Sequence, residues 1–236
     1  MKTHHSCTCA YCENPATTDD HIPPQSLLPG VPKSKRPKVP SCEACNTGAS
    51  DDDEHVRDLI VMYHSVSDTP QASVSLDSFY RAINNPKKRR YLANICRRIV
   101  EVEASSFQGI LLGSQPGYSV DTARFQKTYE RYIKGLHWIE FGALRNNGLE
   151  VKILLDPEKL RHMVESVKEE MSGGVLKMIA PQVFWYKYKR LSDELSTTYW
   201  LTCHFGNFPV LARTRSCNAD VSGEKKANIQ TQRKGA

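Results

Sequence analysis

The chain has no apolar run long enough to cross a bilayer. Stretches such as Gly109 to Gly113 and Val151 to Leu155 fall far short of the roughly 20 residues a spanning helix needs. The first residues, Met1 to Thr8, are polar and His-rich, with no apolar core of the kind a secretory signal carries. No internal repeat is present. These absences argue against a membrane-spanning helix, and the expectation is a soluble, cytoplasmic protein without a membrane partner. What remains is ordinary globular composition: 236 residues, 39% hydrophobic and 25% charged. That length suits one moderate domain or a small module joined to a larger one.

Charge is present in mild excess of one sign. The formal net charge is +6 and the pI near 8.8, which favours a polyanionic partner without proving one. The excess is uneven, concentrated at Lys33 to Lys38, at Lys87-Lys88-Arg89-Arg90 with Arg97-Arg98, and between Lys225 and Lys234. Each cluster taken alone reads equally well as a solvated face.

Cysteine is plentiful. Of eight cysteines, five precede residue 46. Without a signal sequence, metal binding explains them better than disulfides. The chain divides near residue 66. The segment before it is rich in Cys, His, Pro and Asp and shows little apolar periodicity, so a metal is the natural substitute for a core of its own.

From Ser50 a helix is expected, with Ser50 and Asp53 as a capping box and Asp51-Asp52-Asp53-Glu54 at the positive end of its dipole. Further helices are expected over about 76–84, 88–104, 121–143 and 156–171. From Val175 onward β-branched and aromatic residues predict a small antiparallel sheet, with strands at 183–188 and 197–202 and turns near Ser192-Asp193 and Gly206-Asn207. Trp185, Tyr186, Tyr188 and Trp200 read as core before they read as stacking platforms for bases. The fold class is therefore α+β. Residues 1–66 form a metal-stapled module, 67–214 a helical then β-stranded region, and 215–236 a basic, disordered tail.

Two knuckles of the same type stand out: Cys9-Ala10-Tyr11-Cys12 and Cys42-Glu43-Ala44-Cys45. Each turns tightly enough to aim both sulfurs at one ion, and together they complete a closed tetrahedral Zn²⁺ site. Cys7 competes with Cys9, but only Cys9 has the two-residue spacing to Cys12. Four thiolates leave no open coordination position, so such a site is structural and chemistry is to be sought in the 29 residues between the knuckles. There lies Asp19-Asp20-His21-Ile22-Pro23-Pro24. Asn46 follows the second knuckle directly, and His55 comes nine residues later.

Asp20-His21-Ile22-x-Pro24, then Cys42-x-x-Cys45-Asn46, then His55, resembles the HNH endonuclease motif in its zinc-ribbon form, over residues 7 to 63. The resemblance implies a β-hairpin followed by a helix, the ββα-metal module, gripping one divalent cation, Mg²⁺ or Mn²⁺. It implies His21 as the general base, Asp20 and His55 as ligands of that cation, and Asn46 as the residue that orients His21 or the loop or completes the metal shell. A carboxylate among Asp52, Asp53 and Glu54 competes with His55 as the ligand, and Asn46 also reads as a residue that tightens the turn. The activity implied is phosphodiester hydrolysis, on DNA before RNA. Lys35, Arg36 and Lys38, and Lys87, Lys88, Arg89 and Arg90, are the candidate phosphate contacts. Two other readings stand beside it: a non-catalytic zinc ribbon that binds nucleic acid or protein, and a nuclease subunit whose remaining chain docks a partner protein.

Overall fold

The computed structural model describes residues 8–12, 14–105, 109–142, 149–155, 157–192 and 196–216. The order is β1 (Thr18–His21), β2 (Lys38–Ser41), α1 (Glu43–Asn46), α2 (Ser50–Met62), α3 (His64–Ser67), α4 (Ser73–Ile83) and α5 (Arg89–Arg97). Then follow β3 (Ile99–Ser105), β4 (Leu111–Tyr118), α6 (Thr122–Phe141), β5 (Leu149–Leu155), α7 (Pro157–His162) and α8 (Val164–Glu170). The last four strands are β6 (Val175–Ala180), β7 (Phe184–Arg190), β8 (Thr198–His204) and β9 (Phe208–Ser216). The fold is α+β. Its strands make two antiparallel hairpins, β1–β2 and β3–β4, and a five-stranded antiparallel sheet ordered β5-β9-β8-β7-β6.

Period-2 alternation explains how the large sheet is covered on both faces. In β9, Val210 and Ala212 join the main core while Leu211 between them joins a smaller cluster with Leu160, Val167 and Met171 of α7, α8 and the turn after. In β8, Trp200 lies in the main core, and Tyr199 and Leu201 pack on the α7–α8 side. Tyr186 and Trp200 are thus core residues, as the alternation leads one to expect.

Helix α6 is the central element. Its Phe125, Tyr129, Ile133 and Leu136 share one buried cluster with Ile22, Val39, Val56 and Ile60 on one side and Tyr186, Trp200 and Val210 on the other. The division expected near residue 66 therefore does not separate two cores. Residues 18–62 bury their apolar side chains against α6, and a metal is not their only means of folding. The scattered apolar residues Ile22, Leu27, Leu28, Val31 and Val39 carry no periodicity, yet all are buried.

Three local expectations are corrected. The helix expected over 88–104 ends at Arg97, and Ile99–Ser105 pairs with Leu111–Tyr118 as a hairpin. The helix expected over 156–171 is broken between His162 and Val164. The capping box at Ser50 is absent, because Ala49 and Ser50 already have helical backbone angles and no cap side-chain bond forms. The turn at Gly206-Asn207 is present, whereas Asp193 and the tail beyond Ser216 lie outside the described residues.

Gly135 is where α6 passes closest to the first hairpin. A Cβ there would stand 2.5 Å from Cγ1 of the fully buried Ile22. Gly135→Ala should therefore destabilise the protein. Overpacking of about 1–3 kcal/mol outweighs a helix-propensity gain of about 1 kcal/mol. Urea unfolding checks this, and Ile22→Ala should cost less in the Gly135→Ala chain than alone.

Candidate metal centre and hairpin site

The first knuckle is held by backbone bonds before any metal is considered. Cys9 N donates to the Asn14 carbonyl at 2.9 Å and Ala10 N to that of Pro40 at 2.8 Å. This lays the knuckle against β2. The second knuckle forms the start of α1, with Cys42 as its N-cap and Cys45 one turn on. The four sulfurs lie within 4.8 Å of one another, with Cys12–Cys42 and Cys12–Cys45 both 3.7 Å apart. A tetrahedron with metal–sulfur bonds of about 2.3 Å has edges of about 3.8 Å. The set therefore fits a structural metal such as zinc. Tyr11 N donates to Cys9 Sγ at 3.5 Å. Burial raises the Cys9 thiol, but backbone hydrogen bonds at Cys42, Tyr11 and Cys12 outweigh it and bring its pKa to about 7. Cys7, the competing ligand, lies outside the described residues.

The hairpin leads from this cluster to the candidate catalytic residues. Asp20 stands opposite Val39, and His21 opposite Lys38 at the end that leads into the connecting loop. The alternation of the strand sends neighbours to opposite faces: Asp20 is buried, while Asp19 is exposed and His21 half-buried. Asn46 holds the strand from behind. Its Nδ2 donates to Thr18 Oγ1 at 3.0 Å and to the Asp19 carbonyl at 3.1 Å. Asn46 thus positions β1, and through it His21. The His21 imidazole is held below its ordinary pKa by burial first and then by Lys38, Arg36 and Lys33. It is neutral at pH 7, with a free pair for a proton, in a positive field that suits phosphate. Arg36 is anchored to the Val31 carbonyl and to Gln25 Oε1, both at 2.8 Å, which fixes the loop that carries these cations. Lys35 and Lys38 are exposed, as are Lys87, Arg89 and Arg90, while Lys88 pairs with Glu54 at 2.8 Å.

Asp20 and His55 are not brought together. Asp20 Oδ2 accepts from Tyr11 Oη at 2.8 Å and from Arg131 Nη1 at 2.9 Å. The same Arg131 donates to the Cys45 carbonyl at 3.2 Å and to Asp53, which also accepts from Tyr132 Oη at 2.9 Å. On α2, Asp53 takes the side facing Arg131. Two residues on, and about 200° round the helix, His55 faces a cavity with Arg97, Arg98 and Arg124. Burial first, then Arg124 and Arg98, bring its pKa to about 4. Among the described residues, the four cysteines are the only group of three or more potential ligands that converge. Asp20 and His55 as they stand do not fit one shared cation. The acids that compete with His55 are also engaged: Asp52 with Arg124 at 2.6 Å, Asp53 with Arg131, and Glu54 with Lys88.

Sequence reasoning misses Arg131 and Tyr11. Arg131 lies in the polar stripe of an amphipathic helix, and nothing local marks it. Tyr11 sits inside the first knuckle and reads only as spacer. Compared with known families, with curated proteins and with solved structures, the chain matches none. No described helix is long and apolar enough to cross a membrane.

Removing the buried Arg131 strands two carboxylates, so Arg131→Met should cost about 3–5 kcal/mol at pH 7. Burial first, opposed by Arg131, already holds Asp20 and Asp53 above the usual carboxylate range. Without the guanidinium both rise further. A raised acid favours the fold below its unfolded pKa of about 4 and loses that contribution as pH climbs through the folded value. The deficit should therefore shrink toward pH 4 and be largest at neutral pH. Chemical denaturation from about pH 4 to about pH 8 checks it.

Proposed function

We propose that this protein is a nuclease of the HNH type that hydrolyses phosphodiester bonds, with DNA as the favoured substrate and His21 as general base. The observation that carries the reading is the local order of parts. A four-cysteine cluster closes one end of the β1–β2 hairpin, α2 follows it, and a neutral, half-buried histidine stands at the hairpin's loop end among Lys33, Arg36 and Lys38. A binding ribbon has no need of a histidine so placed. On this reading the cluster holds one Zn²⁺ and the hairpin and α2 are the ββα module.

The chemistry asked of these residues is modest. A water oxygen forms a bond to phosphorus as its proton passes to the His21 imidazole, and the bond from phosphorus to the departing sugar oxygen breaks. That oxygen takes a proton from solvent. Lys38 and Arg36 stabilise charge on the phosphate, and proton transfer to a positioned imidazole is worth roughly 10²–10⁴ in rate. Asn46 keeps β1 in register so that His21 is presented outward. The exposed Lys87, Arg89 and Arg90 add sequence-independent affinity for the strand.

The resemblance also carries a Mg²⁺ or Mn²⁺ ion on Asp20 and His55. Those side chains face different surroundings, Asp20 toward Arg131 and His55 toward the cavity on the other side of α2, and would hold such an ion together only if one of them moved. The Asp20–Arg131 pair favours a second reading, a non-catalytic four-cysteine module that binds nucleic acid or protein, because it commits the acid that a catalytic cation would need.

Supercoiled plasmid incubated with the purified protein in Mg²⁺, Mn²⁺ or chelator separates the two. Nicking is expected, reduced at least about 100-fold in His21→Ala, with one zinc per chain in both proteins; dependence on added Mg²⁺ or Mn²⁺ would show that a divalent cation also takes part. A His21→Ala protein that nicks like the parent removes His21 as the base. Zinc-loaded protein that cuts neither plasmid, single-stranded DNA nor RNA gives the binding module the lead.

A further inference from the structure

The cavity on the far side of α2 has no part in the hairpin chemistry. Its volume is about 580 Å³, within the range of small-ligand sites. Its walls come from α2, α5, the root of the β3–β4 hairpin and the first turn of α6. Three arginines line it, Arg97, Arg98 and Arg124, beside two acids, Asp51 and Glu54, of which Glu54 is paired with Lys88 at 2.8 Å. Two are held in place from behind. Arg98 donates to Asp121 at 3.1 Å and to the Ser119 carbonyl at 3.2 Å, and Arg124 to Asp52 at 2.6 Å, which leaves part of each five-donor fork for a ligand. Tyr91 and Tyr118 supply ring surface. At its floor is His55, only 8% exposed, whose Nε2 is fully buried and has no hydrogen-bond partner. A buried polar atom left unpaired costs about 1–3 kcal/mol. A ligand that displaces the wall over this nitrogen and bonds it recovers that loss.

We propose that this cavity binds a single nucleotide, its phosphate on Arg97, Arg98 and Arg124 and a polar edge of its base or sugar on His55 Nε2, between Tyr91 and Tyr118. The arginines ask for an anion, the two phenol rings for a planar apolar body, and the buried nitrogen for a polar group at the end. A nucleotide has all three, and a bare phosphate only the first. Naming a nucleotide rests on the nucleic-acid reading above. A free nucleotide and an unpaired residue of a strand present the same groups.

Calorimetric titration of the full chain distinguishes these cases. The probes are the four deoxynucleoside 5′-monophosphates, the matching nucleosides, inorganic phosphate and a short single-stranded oligonucleotide. A monophosphate should bind at least about ten-fold more tightly than its nucleoside or phosphate. Arg97→Ala, on an exposed helix end, should weaken it about ten-fold, as should His55→Ala. If only the oligonucleotide binds, and Arg97→Ala and His55→Ala weaken it equally, the occupant is a residue of a strand. Phosphate binding as tightly as the nucleotides, binding indifferent to both substitutions, or no binding at all overturns the proposal. Since the readout is binding, a failure to nick plasmid leaves it standing, and nicking without nucleotide binding removes this inference alone.

Discussion

Much of the arrangement around the hairpin depends on one buried cation. The Arg131 guanidinium, 12% exposed, is surrounded by the carboxylates of Asp20 and Asp53 and by the Cys45 carbonyl. Taking a charge out of water costs several kcal/mol unless its partners are in place. Here they come from β1, from α2 and from the second cysteine knuckle, so none of these can shift without stranding the others. The group carries two negative charges against one positive. Tyr11 and Tyr132 spread the excess by donating to the two acids. Burial is what keeps both carboxyls above their usual range although a guanidinium touches each.

Two fasteners of different kinds act on the first hairpin. Its strands are four residues each, and an isolated two-stranded pair of that length is marginal in water. At one end the cysteine cluster ties the chain before β1 to the chain after β2. At the other, Ile22 and Val39 enter the core under α6, where the absence of a side chain on Gly135 lets Ile22 come close. His21 stands between core and solvent, one residue before Ile22, so its backbone is fixed while its ring remains half exposed. This is how a strand-end residue acquires a defined position from a rigid scaffold.

What the sequence reveals follows from the range of each interaction. The cysteine knuckles are local, and their spacing alone leads to the cluster the structure contains. Helix α6 is readable because a sustained apolar stripe of 20 residues has few other solutions. The strand Ile99–Ser105 reads as the end of a helix because the preceding turns are helical and its partner strand, with Gly113, Pro116 and Gly117, looks like loop. Both strands expose apolar residues such as Val102 and Leu111, so no face alternates. Arg131 is 111 residues from Asp20 and 78 from Asp53. No periodicity or motif encodes a pairing at that range, and it competes with the metal-ligand assignment carried by the local motif.

Helix α2 shows how such a conflict arises. Its acidic start reads as a response to the helix dipole, yet the acids divide by direction. Asp51, Glu54 and His55, with Asp58 a turn further, fall at i, i+3, i+4 and i+7 and form one stripe toward α5, where Tyr91 donates to Asp58 and Lys88 to Glu54. Asp52 and Asp53 turn instead to Arg124 and Arg131, two turns apart on α6. A helix whose polar residues serve two sides cannot give His55 and Asp20 a common ion, because the rotation that would bring His55 to the hairpin would carry Asp53 away from Arg131. The same division isolates the cavity from the hairpin. His21 answers to the cations of its own loop and His55 to the arginines of α6 and of the segment after α5. The two neutral histidines therefore belong to two sites, separated by the body of one helix.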